Sequence, residues 1–175
     1  MLKFIKIIGI VALLATSKAG FSQSLMFGVG GSYGADIQQF APNFRIYYGL
    51  TEHICFGPEY SYFPSIKHGD TDVQLSEYGF VGHYIFEVKH IAGIYPLIGI
   101  NYSVENEVHN EESHTTSALG ASMGLGVHFN FKNFLPFAEY KYITGKLSQS
   151  TFSVGLIYNL HLGNKKHSGT KEHYD

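Results

Sequence analysis

Hydrophobic and polar residues alternate with a period of two along most of the chain. The longest run begins at Leu119, where one face is apolar and the other is small or polar. The apolar face consists of Leu119, Ala121, Met123, Leu125, Val127, Phe129 and Phe131, and the opposite face consists of Gly120, Ser122, Gly124, Gly126, His128 and Asn130. Since successive side chains of a strand point to opposite faces, this pattern predicts an amphipathic β-strand.

Seven further segments repeat the alternation, so the predicted number of strands is eight. They lie at residues 25–34, 43–50, 54–62, 77–86, 93–103, 136–142 and 152–162. Amphipathic strands that follow one another at this rhythm are typical of an all-β fold in which neighbouring strands pair antiparallel. The pattern therefore predicts an up-and-down β-barrel.

The polar face indicates which side of this barrel meets lipid. It is mostly Gly, Ser and Asn, and no charged residue occurs between Ser113 and Phe131. A soluble, lipocalin-like barrel, which is the alternative, would need charge on its outer face, whereas small residues suit a narrow packed lumen. Aromatic residues near strand ends, typical of membrane interfaces, are Tyr60, Tyr62, Tyr102, Tyr140 and Tyr142. We therefore predict an eight-stranded antiparallel up-and-down transmembrane β-barrel over residues 24–162.

The predicted connections between strands alternate between short and long. The short ones are 51–53, 88–90 and 132–133, and the long ones are 35–42, 64–73, 105–116 and 145–150. Bacterial outer-membrane barrels combine short periplasmic turns with longer external loops. The alternation predicts a location in the bacterial outer membrane with both chain termini in the periplasm.

Two segments outside the barrel have their own signatures. Lys3 and Lys6 precede an apolar run at residues 7–15, and Gly20 and Ser22 flank Phe21 in a small-x-small cleavage site, which predicts a cleaved signal peptide over 1–22. Residues 163–175 are polar and rich in Lys and His, which predicts a disordered periplasmic tail.

Composition narrows the functional classes. Only 15% of the 175 residues are charged and the formal net charge is −2, whereas soluble domains carry about 25% charged residues. The near-neutral balance argues against a nucleic-acid partner. The single cysteine, Cys55, excludes an internal disulfide and is predicted to be a small buried residue in the lumen.

Five charged residues are predicted to face the lumen: Arg45, Glu59, Glu77, Glu139 and Lys141. An eight-stranded barrel is just wide enough to be filled by side chains. Charges buried there must pair or be hydrogen-bonded, because unpaired burial is costly. We predict a polar network that plugs the lumen, with a gated proton or ion path as the alternative.

The chain resembles the small eight-stranded outer-membrane barrels of the OmpA and OmpX type, within the outer membrane protein β-barrel domain group. The residues of the last strand that are similar to this family's assembly signal are Ser153, Gly155, Tyr158 and Leu160. The resemblance implies a setting in outer-membrane lipid and insertion by the barrel-assembly machinery. The chain departs from the pattern because it continues for 13 residues after Leu162.

We expect a non-enzymatic integral protein with a structural role in the envelope or minor surface contacts, its surface ligand unidentified. The alternatives are an adhesin or binding module that uses the external loops, and a lipid A-modifying barrel enzyme. Lipid A deacylases use a His with a Ser two residues later; the nearest match is His128 with Asn130, and Asn cannot act as the nucleophile. No cofactor is expected, and the group His109, Glu111, Glu112 and His114 matches no dedicated metal spacing.

Overall fold

The computed structural model describes residues 24–68, 71–109 and 112–162. The strands are β1 (Ser24–Gly34), β2 (Gln39–Gly49), β3 (Ile54–His68), β4 (Thr71–Tyr84), β5 (Phe86–Val88), β6 (Ala92–His109), β7 (Glu112–Phe129), β8 (Phe134–Ile143) and β9 (Gln149–His161). Each strand pairs antiparallel with its neighbours, and β1 pairs with β9, so the sheet closes into a barrel. The predicted all-β barrel is confirmed. The predicted signal peptide and tail lie outside the described residues.

β4 and β5 are two parts of one barrel strand, so the barrel has the eight strands predicted. Both pair with β6, and the register is the same on either side of Ile85. This register places Tyr84 opposite Pro96, which has no N–H to donate. The missing donor interrupts the ladder without ending the strand. Among the described residues, no helix is long and apolar enough to cross a membrane.

The predicted orientation of the two faces is also confirmed. Along β7, Met123 and Leu125 are 49% and 62% exposed, whereas Ser122 and His128 are buried. The outer surface is therefore apolar and the interior polar, as in barrels that stand in lipid. A row of tyrosines borders the apolar belt at one level: the ring centroids of Tyr60 and Tyr78 are 5.0 Å apart, and those of Tyr78 and Tyr102 are 6.5 Å apart.

The two ends of the barrel differ in strand length rather than in loop length. Most residues of the predicted long connections at 64–73 and 105–116 belong to strands. β3 ends at His68 and β4 begins at Thr71, and β6 ends at His109 and β7 begins at Glu112. The connections predicted at 35–42 and 145–150 are likewise only 35–38 and 144–148. The predicted loop bounds are wrong. In the β3–β4 and β6–β7 hairpins the reason is that the added strand segments lie beyond the apolar belt, where apolar alternation stops although backbone pairing continues.

Four strands continue past the rest of the barrel as a sheet of their own. The β2–β3 ladder ends at Asn43 and Ser61, and the β7–β8 ladder begins at Ser122 and Ile143. Beyond these pairs, residues 62–68, 71–76, 104–109 and 112–121 form what we call the protruding sheet. Along β7, from Glu112 to Ser122, the protruding sheet is about 33 Å long, at roughly 3.3 Å per residue. It stands at the hairpin end, opposite the terminal end that carries Ser24 and His161.

Candidate functional site

Two buried ion pairs occupy the middle of the lumen. Arg45 Nη1 lies 3.1 Å from Glu139 Oε2, and both side chains are 1% exposed. Lys141 Nζ donates a hydrogen bond to Glu59 Oε1, in a pair that is equally well buried. The Arg45 guanidinium carbon also lies 4.2 Å from the centre of the Phe137 ring, within the range of a cation–π contact.

Both pairs also have neutral hydrogen-bond partners. The Tyr95 hydroxyl donates to Glu139 Oε2 at 3.3 Å, and the Tyr47 hydroxyl donates to Glu59 Oε2 at 3.2 Å. Arg45 Nε donates to Asn43 Oδ1 at 2.8 Å. These bonds rigidify the polar interior. They do not satisfy every atom, since Arg45 Nη2 and Glu139 Oε1 are buried without a hydrogen-bond partner among the described residues.

Glu77 lies apart from these ion pairs. Its Oε1 accepts a 3.0 Å hydrogen bond from Gln149 Nε2, and among the described residues no basic side chain lies within 4.0 Å of its carboxylate. Of the five residues predicted to form the network, four therefore form two ion pairs and the fifth is bonded to an amide.

An apolar cluster closes the lumen at the hairpin end. Ala41, Phe63 and Leu75 are buried together, and Ile37 and Leu147 pack against them. Phe63 is fully buried. This cap and the ion pairs in the middle of the barrel fill successive levels of the described lumen.

The terminal end instead holds an open cavity of about 670 Å³, which we call the terminal cavity. Cys55 lines it, as predicted for a lumen residue, with its Sγ 3.4 Å from His83 Nδ1. His128 and Asn130 also line it. They lie inside the barrel, away from the lipid-facing wall on which a lipid A deacylase would need them.

The residues of the predicted assembly signal lie on both faces of β9. Ser153 is buried in the lumen with its Oγ 2.7 Å from Ser32 Oγ, and Gly155 lies on the same face. Tyr158 and Leu160 are 39% and 40% exposed on the outer face. Their role in assembly stays a prediction.

Three residues of the His- and Glu-containing group, His109, Glu112 and His114, are exposed at the tip of the protruding sheet. His114 Nε2 lies 3.9 Å from Glu112 Oε2, and Glu111 lies outside the described residues. Within the described ranges, no group of three or more His, Cys, Asp or Glu side chains could hold a metal ion.

The protruding sheet has a free edge along β7. Ala121 accepts a hydrogen bond from the Thr144 N–H at 2.8 Å, so Ala121 directs its backbone groups toward β8. Alternate residues of a strand share that direction, which applies to Ser113, Thr115 and Ser117. The β7–β8 ladder begins only at Ser122, so these three face no described strand on that side. Sequence reasoning missed this edge because it placed these residues in or next to a loop.

The comparisons with known proteins agree with this architecture. The family model for the outer membrane protein beta-barrel domain matches residues 8–159. The chain belongs to that family. It is therefore an outer-membrane β-barrel protein, and the resemblance noted in its sequence is confirmed. No curated protein sequence matches the chain.

Several solved structures of small outer-membrane proteins have the same fold as this chain. Ail, the attachment invasion locus protein of Yersinia pestis, is 17% identical with a TM-score of 0.62, over 81% of this chain and 100% of Ail. The N-terminal barrel domain of Pseudomonas aeruginosa OprF is 17% identical with a TM-score of 0.64, over 81% of this chain and 99% of that domain. Ail in complex with the heparin analogue sucrose octasulfate is 19% identical with a TM-score of 0.54, over 79% of this chain and 97% of Ail.

Proposed function

We propose that this outer-membrane barrel is a non-enzymatic surface-interaction protein, whose protruding sheet binds an extended polypeptide along the free edge of β7. The observation that carries this proposal is the set of backbone groups at Ser113, Thr115 and Ser117 that face no described strand. Such an edge pairs readily with an added strand. Natural edges are usually blocked by Lys or Pro, and residues 112–121 contain neither.

The exposed position of this edge supports the proposal. Every residue from Glu112 to Ala121 is exposed or half-exposed, so an incoming strand would meet no covering side chain. We also propose that the protruding sheet faces the exterior and that both chain termini face the periplasm. Short turns at the terminal end and long hairpins at the other support this orientation.

Charge indicates the kind of polypeptide. The protruding sheet contains four acids, Asp72, Glu105, Glu107 and Glu112, and one lysine, Lys67. Partial burial, together with the neighbouring Glu107 carboxylate, raises the pKa of Glu105 above its usual value, as expected where negative charge accumulates. This balance favours a basic partner over a polyanion such as the heparin analogue bound by Ail.

Because the lumen is filled, the proposed function does not include that of a diffusion pore. The two ion pairs and the cap of Ala41, Phe63 and Leu75 serve as a structural plug. We assign the five lumen charges this role. Separating either ion pair would leave a buried charge, and Glu77 is held by its hydrogen bond from Gln149.

The test uses proline at the edge. Ser117 directs its N–H toward the free edge, so Ser117→Pro and Thr115→Pro remove edge donors without removing a backbone hydrogen bond to β6. Thr115→Pro also removes the 2.8 Å hydrogen bond from Thr115 Oγ1 to Asn106 Oδ1 on β6, and the alanine control below removes the same bond. The protein in lipid nanodiscs is titrated with a peptide of alternating lysine and valine, and with a matched peptide of alternating glutamate and valine.

We expect saturable binding of the lysine peptide, weakened at least about tenfold by the proline double variant. The matched control, Ser117→Ala with Thr115→Ala, keeps both N–H groups and should bind like the unmodified protein. Equal binding by the proline variant, or equal binding of the acidic peptide, would contradict the proposal.

A further inference from the structure

We propose that the terminal cavity is a binding site for a small, uncharged amphipathic molecule that enters from the end carrying the chain termini. This site lies at the opposite end of the barrel from the free edge of β7, and the inference does not depend on the proposed surface interaction. It rests on the shape of the cavity, the chemistry of its wall, and the charges at its mouth.

The cavity is deep and closed at its inner end. Its volume of about 670 Å³ falls within the range of small-molecule sites, roughly 300–1,000 Å³. The buried ion pairs lie beyond it, where Arg45 is bound to Glu139. A molecule that enters would therefore stay in the cavity and not pass through the barrel.

The deep wall combines apolar and aromatic side chains with the buried imidazoles of His83 and His128. Met26, Leu135 and Ile157 are buried in one cluster with the rings of Tyr47 and Tyr95. The same residues line the cavity. This wall provides the apolar contacts that a hydrocarbon chain or an aromatic ring requires, and these contacts supply most of the affinity in such pockets.

Polar groups gather at the mouth. Thr51 and Asn130 line the outer part of the cavity, whereas Asn159 lies farther in, opposite Met26, with its Oδ1 buried and without a hydrogen-bond partner among the described residues. They are half-buried, and a hydroxyl or amide group of a ligand can exchange hydrogen bonds with them. The cavity therefore changes from polar to apolar along its depth, which matches a molecule with one polar end.

The charges argue for an uncharged ligand. The mouth carries Glu52, Glu87 and Lys132, which are of both signs, and His90 Nδ1 already lies 3.1 Å from Glu87 Oε2. Farther in, Arg45 is paired with Glu139 and Lys141 with Glu59, and the remaining titratable groups of the wall include the imidazoles of His83 and His128. A charged molecule would lose its hydration in the apolar part of the cavity without gaining an ion partner.

The chain provides its own matched reporters. Met26 lies in the cavity, whereas Met123 is 49% exposed on the lipid-facing surface. Methionine methyl groups labelled with ¹³C in the protein in nanodiscs are followed by NMR during titration with benzyl alcohol. Benzoate and benzylammonium, of the same size but charged, are titrated in parallel.

We expect benzyl alcohol to shift the Met26 methyl signal saturably. The Met123 signal should shift only weakly and in proportion to the benzyl alcohol concentration. The two charged probes should bind at least about tenfold more weakly. Benzyl alcohol should also slow alkylation of the single thiol, Cys55, because the thiol lines the same cavity. An absent Met26 shift, parallel linear shifts at both methionines, or equal binding of the charged probes would overturn the proposal.

Neighbouring residues on β9 provide the variant and its control. Ile157 faces the cavity and Leu156 faces outward. Ile157→Trp should fill the space and abolish the saturable shift, and Leu156→Trp should not. If Ile157→Trp does not fold, as judged by heat-modifiable migration, Cys55→Leu fills the cavity from the opposite wall. Unchanged binding in a folded cavity variant would also overturn the proposal.

Discussion

Removal of one partner from the Arg45–Glu139 pair tests most directly whether the ion pairs of the lumen stabilise the barrel. The two atoms are 3.1 Å apart and both side chains are 1% exposed. At an effective dielectric constant near 20, charges at this distance attract by about 5 kcal/mol. The cost of desolvating both ions offsets much of that attraction, so the intact pair contributes little net stability.

Breaking the pair has a different consequence, because Arg45→Met leaves the Glu139 carboxylate buried without its cation. The Tyr95 hydroxyl still donates to Glu139 but does not neutralise its charge. We expect the free energy of unfolding to fall by about 3–5 kcal/mol. Loss of the guanidinium contact with the Phe137 ring adds a smaller amount in the same direction.

The measurement is equilibrium unfolding in urea in phospholipid vesicles, with the fraction folded read from heat-modifiable migration on a denaturing gel. The double variant Arg45→Met with Glu139→Gln removes both charges and should recover at least about 1 kcal/mol relative to the sum of the single changes. Glu87→Gln, which alters the exposed pair with His90, should change stability by no more than about 0.5 kcal/mol. A loss of less than about 1 kcal/mol of unfolding free energy in Arg45→Met, or additive effects of the two single changes, would contradict this role of the ion pair.

Three further outcomes are expected. Gly57→Ala should lower the free energy of unfolding by at least about 2 kcal/mol, because a Cβ there would lie 2.0 Å from the Ile46 carbonyl oxygen. Gly31→Ala, whose Cβ would lie 3.9 Å from the nearest atom, should change it by no more than about 0.5 kcal/mol. In planar bilayers the protein should give no stable single-channel steps, since ion pairs and the Phe63 cap fill the lumen; reproducible steps would contradict the plug. Binding of the lysine peptide should weaken as pH falls, with Glu105 protonating before ordinary glutamates because its pKa is raised, and binding that is independent of pH would exclude a role for these carboxylates.

The barrel itself was predictable from local pattern. Alternation such as that of Met123 and Leu125 with Ser122 and Gly124 reports which face is apolar, and it persists wherever one face meets lipid. The same periodicity placed Arg45 and Glu139 in the lumen. It could not pair them, because the contact joins residues 94 positions apart across the interior of a closed sheet.

The pattern also could not predict the lengths of the hairpins. Residues 104–109 and 112–118 pair as strands, yet both of their faces meet water, so no apolar alternation marks them. The strand order does not reveal the free edge either. That edge exists because β7 extends beyond Ile143, the last residue of β8, so the first part of β7 has no partner on that side.

Sequence thus defined the elements whose two faces have different surroundings, since burial on one side leaves a signature at every second residue. It identified the barrel, its lipid-facing surface and the charges of the lumen. Closure of the sheet established everything that depends on distance across the barrel: which charges pair, where Phe63 seals the interior, and where the terminal cavity remains open. These features depend on strand register and on side chains that meet across the lumen, and neither is a property of a residue and its neighbours along the chain.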